Sequence, residues 1–177
     1  ARASPGKYQY ASPGARTTTQ MSAQRLFMVA KVPGIAHVPH AGGAAAIAST
    51  YAGHTQIAVA ALPAAAAYMA DGSLRALAIT AAKRSAAYPT LQTLEEAGFA
   101  GHTSDVFIGV VAPAGTPVVD KLSGEFMKIA ALPDVRQRLT GLGFDIVASA
   151  PGAFAARIKT DSAKWDRVVR DINIQKL

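Results

Sequence analysis

Three segments near the start of the sequence combine residue types that bind anions. They lie at 11–18, 39–44 and 60–63, and each joins a short apolar run to a run with helical character. The first N–H groups of a helix have no partner inside the helix and carry partial positive charge, so a carboxylate or phosphate can bind them. Any one segment could be a plain helix cap, but three together favour an anion site.

The charge pattern also favours a negatively charged partner. Residues 1–70 contain five basic residues and no acidic one, and the first carboxylate is that of Asp71. The whole chain of 177 residues has a formal net charge of +7. Nucleic-acid binders usually cluster basic residues among aromatic ones, whereas these five are spread out and never adjacent. We therefore expect a small organic anion and no nucleic acid, with a generic basic surface as the alternative.

Residues for catalysis or metal binding are few. The chain has no cysteine, no G-x-S-x-G elbow, no P-loop and no H-E-x-x-H motif. His37 and His40 fall inside and after one strand-like run, so we expect a hydrogen-bonded core residue at His37 and no metal site. We expect His54 and His102 to be exposed in loops and Glu95–Glu96 to be a solvated pair. The sequence predicts no cofactor and no enzyme.

The first hundred residues alternate between two kinds of run. Short apolar runs predict strands at 7–11, 35–38, 56–60 and 74–80. Runs with helical signals lie between and after them, at 17–30, 43–51, 63–71 and 91–97, and their starts carry hydroxyl, glycine or proline residues. This alternation is typical of an α/β fold with a mostly parallel sheet covered by helices. Such a sheet places the starts of its helices at one edge, where ligands bind.

The remainder of the chain has a different pattern. It predicts only two strands, at 105–112 and 144–148. The predicted helices lie at 117–130, where Thr116 would be the cap, and at 133–141 and 151–170. Two strands are too few for an independent sheet. We therefore expect this part to complete a domain whose other elements lie elsewhere.

Four motifs, in order, carry a resemblance to a known family. They are H-V-P-H-A-G-G-A at 37–44, G-S-L-R-A-L-A-I-T-A-A-K-R-S at 72–85, Y-P-T-L with E-E-A-G within 88–98, and G-V-V-A-P-A-G-T-P at 109–117. In order and spacing they resemble the Bug-type solute receptors of tripartite tricarboxylate transporters. Each motif alone is unspecific, but their joint order is specific, and the similarity runs from residue 3 to residue 177.

The resemblance implies a periplasmic-binding-protein-like fold, the type II Venus flytrap, in which two α/β lobes close on an anionic solute. Residues 1–104 would form one complete lobe, and residues 105–177 the returning C-terminal segment of an incomplete second lobe. The opening part of that second lobe and a signal peptide would lie upstream, so we expect this chain alone to bind solute weakly or not at all. The expected location is the periplasm, and the expected partners are a small carboxylate and a membrane permease. Exposed apolar surface on the incomplete lobe could also form a dimer.

The resemblance also implies which residues contact the ligand. By position, and with Arg16 added from the first segment, the expected ligand-binding residues are Ser12, Gly14, Arg16, Thr17, Thr18, Pro39, His40, Gly42, Gly43, Ala60 and Ala61. The chain departs from the family pattern at several of them. His40 stands where the family commonly has tyrosine, and Ala60 where many members have aspartate. The missing aspartate favours a simple carboxylate over an α-amino acid.

Two other functions stay open from the sequence. The chain could be a sensing module that passes solute binding to a partner protein. It could also be a small α/β hydrolase in which His40 acts with Ser12 or Thr17 near the sheet edge. No carboxylate near His40 in the sequence would orient its imidazole, which makes the hydrolase the weaker alternative.

Overall fold

Three short parallel strands form the sheet that positions the predicted site. The computed structural model describes residue 4 and residues 6–172. Their elements are β1 (Gln9–Ser12), α1 (Thr18–Val29), β2 (Ala36–Pro39), α2 (Gly43–Tyr51), β3 (Ile57–Ala58), α3 (Leu62–Ala70), α4 (Val119–Ala131), α5 (Pro133–Gly141) and α6 (Pro151–Asp171).

The strand order is β2-β1-β3, with β1 in the centre. Tyr10 pairs with His37 on one side and with Ile57 on the other. Because both neighbours of β1 run parallel to it and helices cover it, its residues Tyr10 and Ala11 are buried. The alternation of strands and helices predicted for residues 7–71 is confirmed. β1 and β3 are shorter than predicted, whereas β2 has its predicted length and lies one residue later.

The helix starts follow from their sequences. Thr17 is the N-cap of α1, and its hydroxyl accepts the N–H of Gln20 at 3.3 Å. Gly42 precedes α2 with a φ of 104°, a conformation that favours glycine. Pro63 lies in the first turn of α3. N–H groups in the first turn have no partner inside the helix, so the N–H that proline lacks is not needed there. The three predicted starts are therefore present.

Residues 72–104 fold differently from the prediction. The strand predicted at 74–80 is reduced to one parallel bridge between Ile79 and Thr93. The helix predicted at 91–97 is a turn in which Thr93 and Glu96 each accept the other's backbone N–H through their side chains. This reciprocal pairing is a capping box, and no helix follows it because Phe99 bonds back to the carbonyl of Leu94.

Two predicted strands in the last part of the chain are wrong for this structure. Residues 105–112 and 144–148 form no strand, because no described strand lies beside them to share hydrogen bonds. Their apolar side chains are exposed as a result: 79% of Ile108 and 79% of Val147 are accessible to solvent.

The three helices predicted in this part are present. The first begins at Val119 rather than Pro117, because the Thr116 hydroxyl donates to the Pro113 carbonyl and does not cap the helix. The end of α6 packs against α1 and buries Val168. Within the described residues, no helix is both long enough and apolar enough to cross a membrane.

Candidate functional site

The first two predicted segments are bonded directly to each other. His40 donates its N–H to the carbonyl of Ser12, and Gly42 donates to the carbonyl of Pro13, both at 3.0 Å. These bonds continue the β1–β2 pairing past the strand ends, where Ser12 lies opposite Pro39. The structure therefore brings the residues predicted at 12–18 and 39–43 to one edge of the sheet.

The third segment meets the other two at the start of α2. A methyl group added at Gly43 would lie 3.9 Å from the Cβ of Ala60 and 3.2 Å from the Cβ of Ala64. Only glycine lets α2 and α3 approach this closely without displacement. Ala61 follows Ala60 in the chain and is the N-cap of α3, where its methyl side chain makes no capping hydrogen bond. The three segments thus converge, and the surface that Ala60 and Ala61 contribute is small and apolar.

Several backbone N–H groups at this edge are already occupied by the protein. The N–H of Gly42 is bonded to Pro13, that of Gly14 lies 3.4 Å from the Ser12 hydroxyl, and that of Arg16 donates to the Gln20 side chain. These three N–H groups hold the loops in place, so a ligand could not use them without breaking those bonds.

Other N–H groups at the same edge are unpaired. At the start of α2, no bond within the described residues satisfies the N–H groups of Gly43, Ala44 and Ala45, and no side chain caps the helix. The N–H groups of Thr18 and Thr19 at the start of α1 are in the same situation. Because α2 has no acidic residue in its first turn, its partial positive charge is not neutralised. The start of α2 is the part of the site best suited to an anion.

The hydroxyl groups of the first segment have structural partners. Ser12 is fully buried, and its Oγ lies 3.0 Å from the carbonyl of Gly14 and 2.7 Å from Nε2 of His37. The Thr17 hydroxyl donates to the same Gly14 carbonyl at 2.9 Å while capping α1. Both side chains therefore shape the loop from within. Arg16 lies exposed at its tip with a φ of 62°, a left-handed conformation that is uncommon outside glycine.

Two histidines lie beside this edge. His37 is hydrogen-bonded as predicted, but it is only half-buried and not a core residue. It stacks on Tyr10, with 4.9 Å between ring centroids. Burial lowers the pKa of His37, and the positive charge on His40 lowers it further. The His40 ring contacts the strand that precedes it, β2, since Nδ1 lies 3.1 Å from the carbonyl oxygen of Val38.

His102 corrects one prediction made from the sequence. It is buried, with 3% of its surface exposed, and not a solvated loop residue. Its ring lies in the joint between α1 and α6, with Nε2 3.4 Å from the Ser22 hydroxyl and Nδ1 without a hydrogen-bond partner in the described structure. Burial lowers the pKa of His102, and the charges of Arg25 and Lys164 lower it further. No sequence signal showed this, because the contact spans 80 residues.

The predicted ligand residues form an open edge and not a closed cavity. A groove of about 280 Å³ lies between α1 and the edge strand β2, and its walls include Tyr10, Phe27, Ile35 and His37. None of the predicted ligand residues lines it. Within the described residues, no cluster of histidine and acidic side chains could hold a metal ion, and Glu95–Glu96 is exposed as predicted.

This fold and edge define a class of protein, the solute receptors of the periplasmic-binding-protein type. The family model described as tripartite tricarboxylate transporter family receptor matches residues 1–174, and the chain belongs to that family. The resemblance to Bug-type receptors is thereby confirmed. The receptors of this family bind solutes in the periplasm.

Individual relatives agree with this assignment. A UPF0065 protein from Pseudomonas sp. (strain P51), encoded in a tcbD-tcbE intergenic region, is 31% identical over 172 residues, which are 96% of this chain and 51% of that protein. The chain thus spans about half the length of this curated relative.

Solved structures show the same fold. A structure described as a periplasmic transporter has a TM-score of 0.92 and 31% identity, covering 98% of this chain and 58% of the other. An R. palustris protein solved with adipate has a TM-score of 0.92 and 26% identity, covering 100% and 60%. MatC from Rhodopseudomonas palustris, with bound malate, has a TM-score of 0.80 and 27% identity, covering 92% and 56%.

Proposed function

We propose that this chain supplies one complete lobe, and the returning segment of the other, in a periplasmic receptor that binds a small dicarboxylate and delivers it to the membrane permease of a tripartite transporter. One observation carries the proposal. The unpaired N–H groups of Gly43, Ala44 and Ala45 lie where three loops converge, and no acidic residue precedes Asp71 in the sequence. Adipate and malate in the related structures support a dicarboxylate as ligand.

The binding geometry follows from the occupied and unoccupied N–H groups. One carboxylate of the ligand accepts hydrogen bonds from the start of α2, and the exposed Arg16 adds positive charge nearby. Ala60 and Ala61 contact the aliphatic part of the ligand, because they present methyl groups at the same edge. The second carboxylate is left for the facing lobe, so the chain alone binds weakly.

A charge placed at the start of α2 tests this geometry. Ala44 is exposed in the first turn of α2, and an aspartate there would neutralise the N–H groups that the ligand needs while stabilising the helix. We expect Ala44→Asp to abolish adipate and malate binding without lowering the melting temperature. Ala44→Asn is the matched control, with nearly the same shape and no charge, and it should retain most of the affinity.

The measurement is calorimetry with adipate, malate, an aromatic acid and a neutral sugar. It is made on this chain and, where the natural protein is longer, on the full-length protein. Uniform failure of the acids on both proteins, or tight binding of the sugar alone, would reject the anion receptor. Equal affinity of the two Ala44 variants would reject the assigned N–H groups while leaving the receptor function in place.

The proposed location and permease partner have their own test. We propose that a signal peptide directs the natural protein to the periplasm, which cell fractionation would show. A strain without the receptor should lose uptake of the bound acid. Restoring the receptor gene should restore uptake in a strain that has the permease, but not in a strain that lacks it. Solute sensing is the other candidate, and it predicts normal uptake with a lost response to the acid.

Hydrolysis is a weaker candidate on the geometry of this edge. Ser12 has no exposed surface, and its hydroxyl is held within the loop by Gly14 and His37. The His40 ring is bonded to a backbone carbonyl and not to Ser12 or Thr17. A screen with ester and phosphoester substrates tests this, and turnover that Ser12→Ala removes would support the hydrolase.

A further inference from the structure

The hydrogen bond of His40 determines which ring nitrogen carries a proton. Nδ1 lies 3.1 Å from the carbonyl oxygen of Val38. Because a carbonyl can only accept, Nδ1 must donate, and the neutral ring is therefore protonated at Nδ1. Nε2 then carries a lone pair and can only accept a hydrogen bond. Nε2 has no hydrogen-bond partner among the described residues.

His40 lies at the centre of the converging loops. Its N–H donates to Ser12, its carbonyl accepts from Gly42, and α2 begins three residues after it. A methyl group added at Gly14 would come within 3.7 Å of the His40 carbonyl oxygen. A carboxylate bound at the start of α2 would therefore lie close to the backbone of this residue.

The charged groups around His40 are few, and none is acidic. Arg16 is on the adjoining loop, and His37 is on β2, the strand that ends just before His40, where burial holds the pKa of the His37 imidazole low. α2 (Gly43–Tyr51) and α3 (Leu62–Ala70) contain no acidic, basic or histidine residue. Among the described elements next to His40, namely β1, β2, α2 and α3, none contains a carboxylate that could stabilise a protonated His40.

A dicarboxylate ligand would supply the missing negative charge. Its ionised oxygens only accept hydrogen bonds, so they have no favourable contact with the neutral Nε2. The carboxylate oxygens would form a charge-assisted hydrogen bond with a protonated Nε2. We propose that His40 takes up a proton as the carboxylate binds, so that capture of the anion weakens as the pH rises. This inference rests on the proposed function.

Tyrosine at this position would behave differently, which provides a matched control. A tyrosine hydroxyl donates a hydrogen bond at any pH below about 10. It can therefore contact a carboxylate without taking up a proton. We expect His40→Tyr to bind adipate with an affinity that is constant between pH 6 and pH 8, whereas the affinity of the unchanged protein falls by up to about tenfold per pH unit over the range where histidine deprotonates.

NMR titration of the histidine rings tests the proton uptake directly. At a fixed pH, saturating adipate should increase the protonated fraction of the His40 ring, which its ring nitrogen chemical shifts report. His54 is exposed in the turn that follows α2 and serves as the internal control, with ring signals that should not change when adipate is added. Calorimetry at one pH in triethanolamine and in Tris, two buffers without an anionic group that would compete for the site, should give different apparent enthalpies, because the buffers release protons with different heats.

The possible results separate this inference from the proposed function. Adipate binding with no buffer dependence and no change in the protonation of the His40 ring would overturn the proton coupling and leave the receptor intact. Equal pH dependence in His40→Tyr would also overturn it. Failure of both adipate and malate to bind, on this chain and on the full-length protein, would overturn the receptor and this inference with it.

Discussion

The hydroxyl of Thr17 provides a quantitative test of what stabilises the first of the three segments, residues 11–18. It caps α1 by accepting the N–H of Gln20, and it donates to the Gly14 carbonyl. Losing an N-cap hydroxyl costs about 1 kcal/mol. The Gly14 carbonyl keeps a second donor in Ser12, so the other lost bond should cost only about 0.5 kcal/mol, at the low end for a hydrogen bond.

We therefore expect Thr17→Ala to lower the free energy of unfolding by about 1.5 kcal/mol. For a domain of this size, that corresponds to a fall of about 3–6 °C in melting temperature. Thr17→Ser keeps the hydroxyl and should stay within about 0.5 kcal/mol of the unchanged protein. Urea unfolding followed by circular dichroism measures both variants. Equal stability of the two would refute the cap, because their relevant difference is the hydroxyl.

Further predictions concern packing, pH and association. Gly43→Ala should destabilise the fold by about 1 kcal/mol through crowding against α3, whereas Gly124→Ala, in open space on α4, should stabilise it by up to about 1 kcal/mol; urea unfolding separates the two. The pKa of His102 is lowered on folding, so the unfolded chain binds the proton more readily, and thermal melts should show stability falling as the pH drops below about 6.5, the ordinary histidine value. His102→Phe should weaken that dependence and leave the part that comes from His37, whose pKa is also lowered. Light scattering should detect dimers of this chain alone, and the double change Ile108→Lys and Val111→Lys should give monomers; a monomeric unchanged chain would contradict this.

The first seventy residues could be predicted well because their signals are local. A proline at 63, a glycine pair at 42–43 and the threonines at 17–19 mark helix starts through backbone geometry and capping, which depend only on near neighbours. The unpaired N–H groups of α2 follow from the same signals. The sequence alone could not show that the N–H groups of Gly42 and Gly14 are already hydrogen-bonded within the loops. Those bonds depend on how the segments pack together.

The later errors share one physical cause. A strand exists only where another strand pairs with it, so the apolar runs at 105–112 and 144–148 carry strand propensity without forming strands. The same dependence on distant contacts hid the burial of His102, whose neighbours lie on α1 and α6. The boundary proposed at residue 104 and the individual ligand contacts stay predictions.

The bonds from His40 to Ser12 and from Gly42 to Pro13 have a consequence for how such a site can change over time. They are made by backbone atoms, so the frame that presents the α2 amides does not depend on which side chain occupies position 40. Substitution there can alter what the receptor prefers to carry without rebuilding the frame. Because backbone bonds fix these loops, a single substitution at an exposed position of the site can change which solute is preferred.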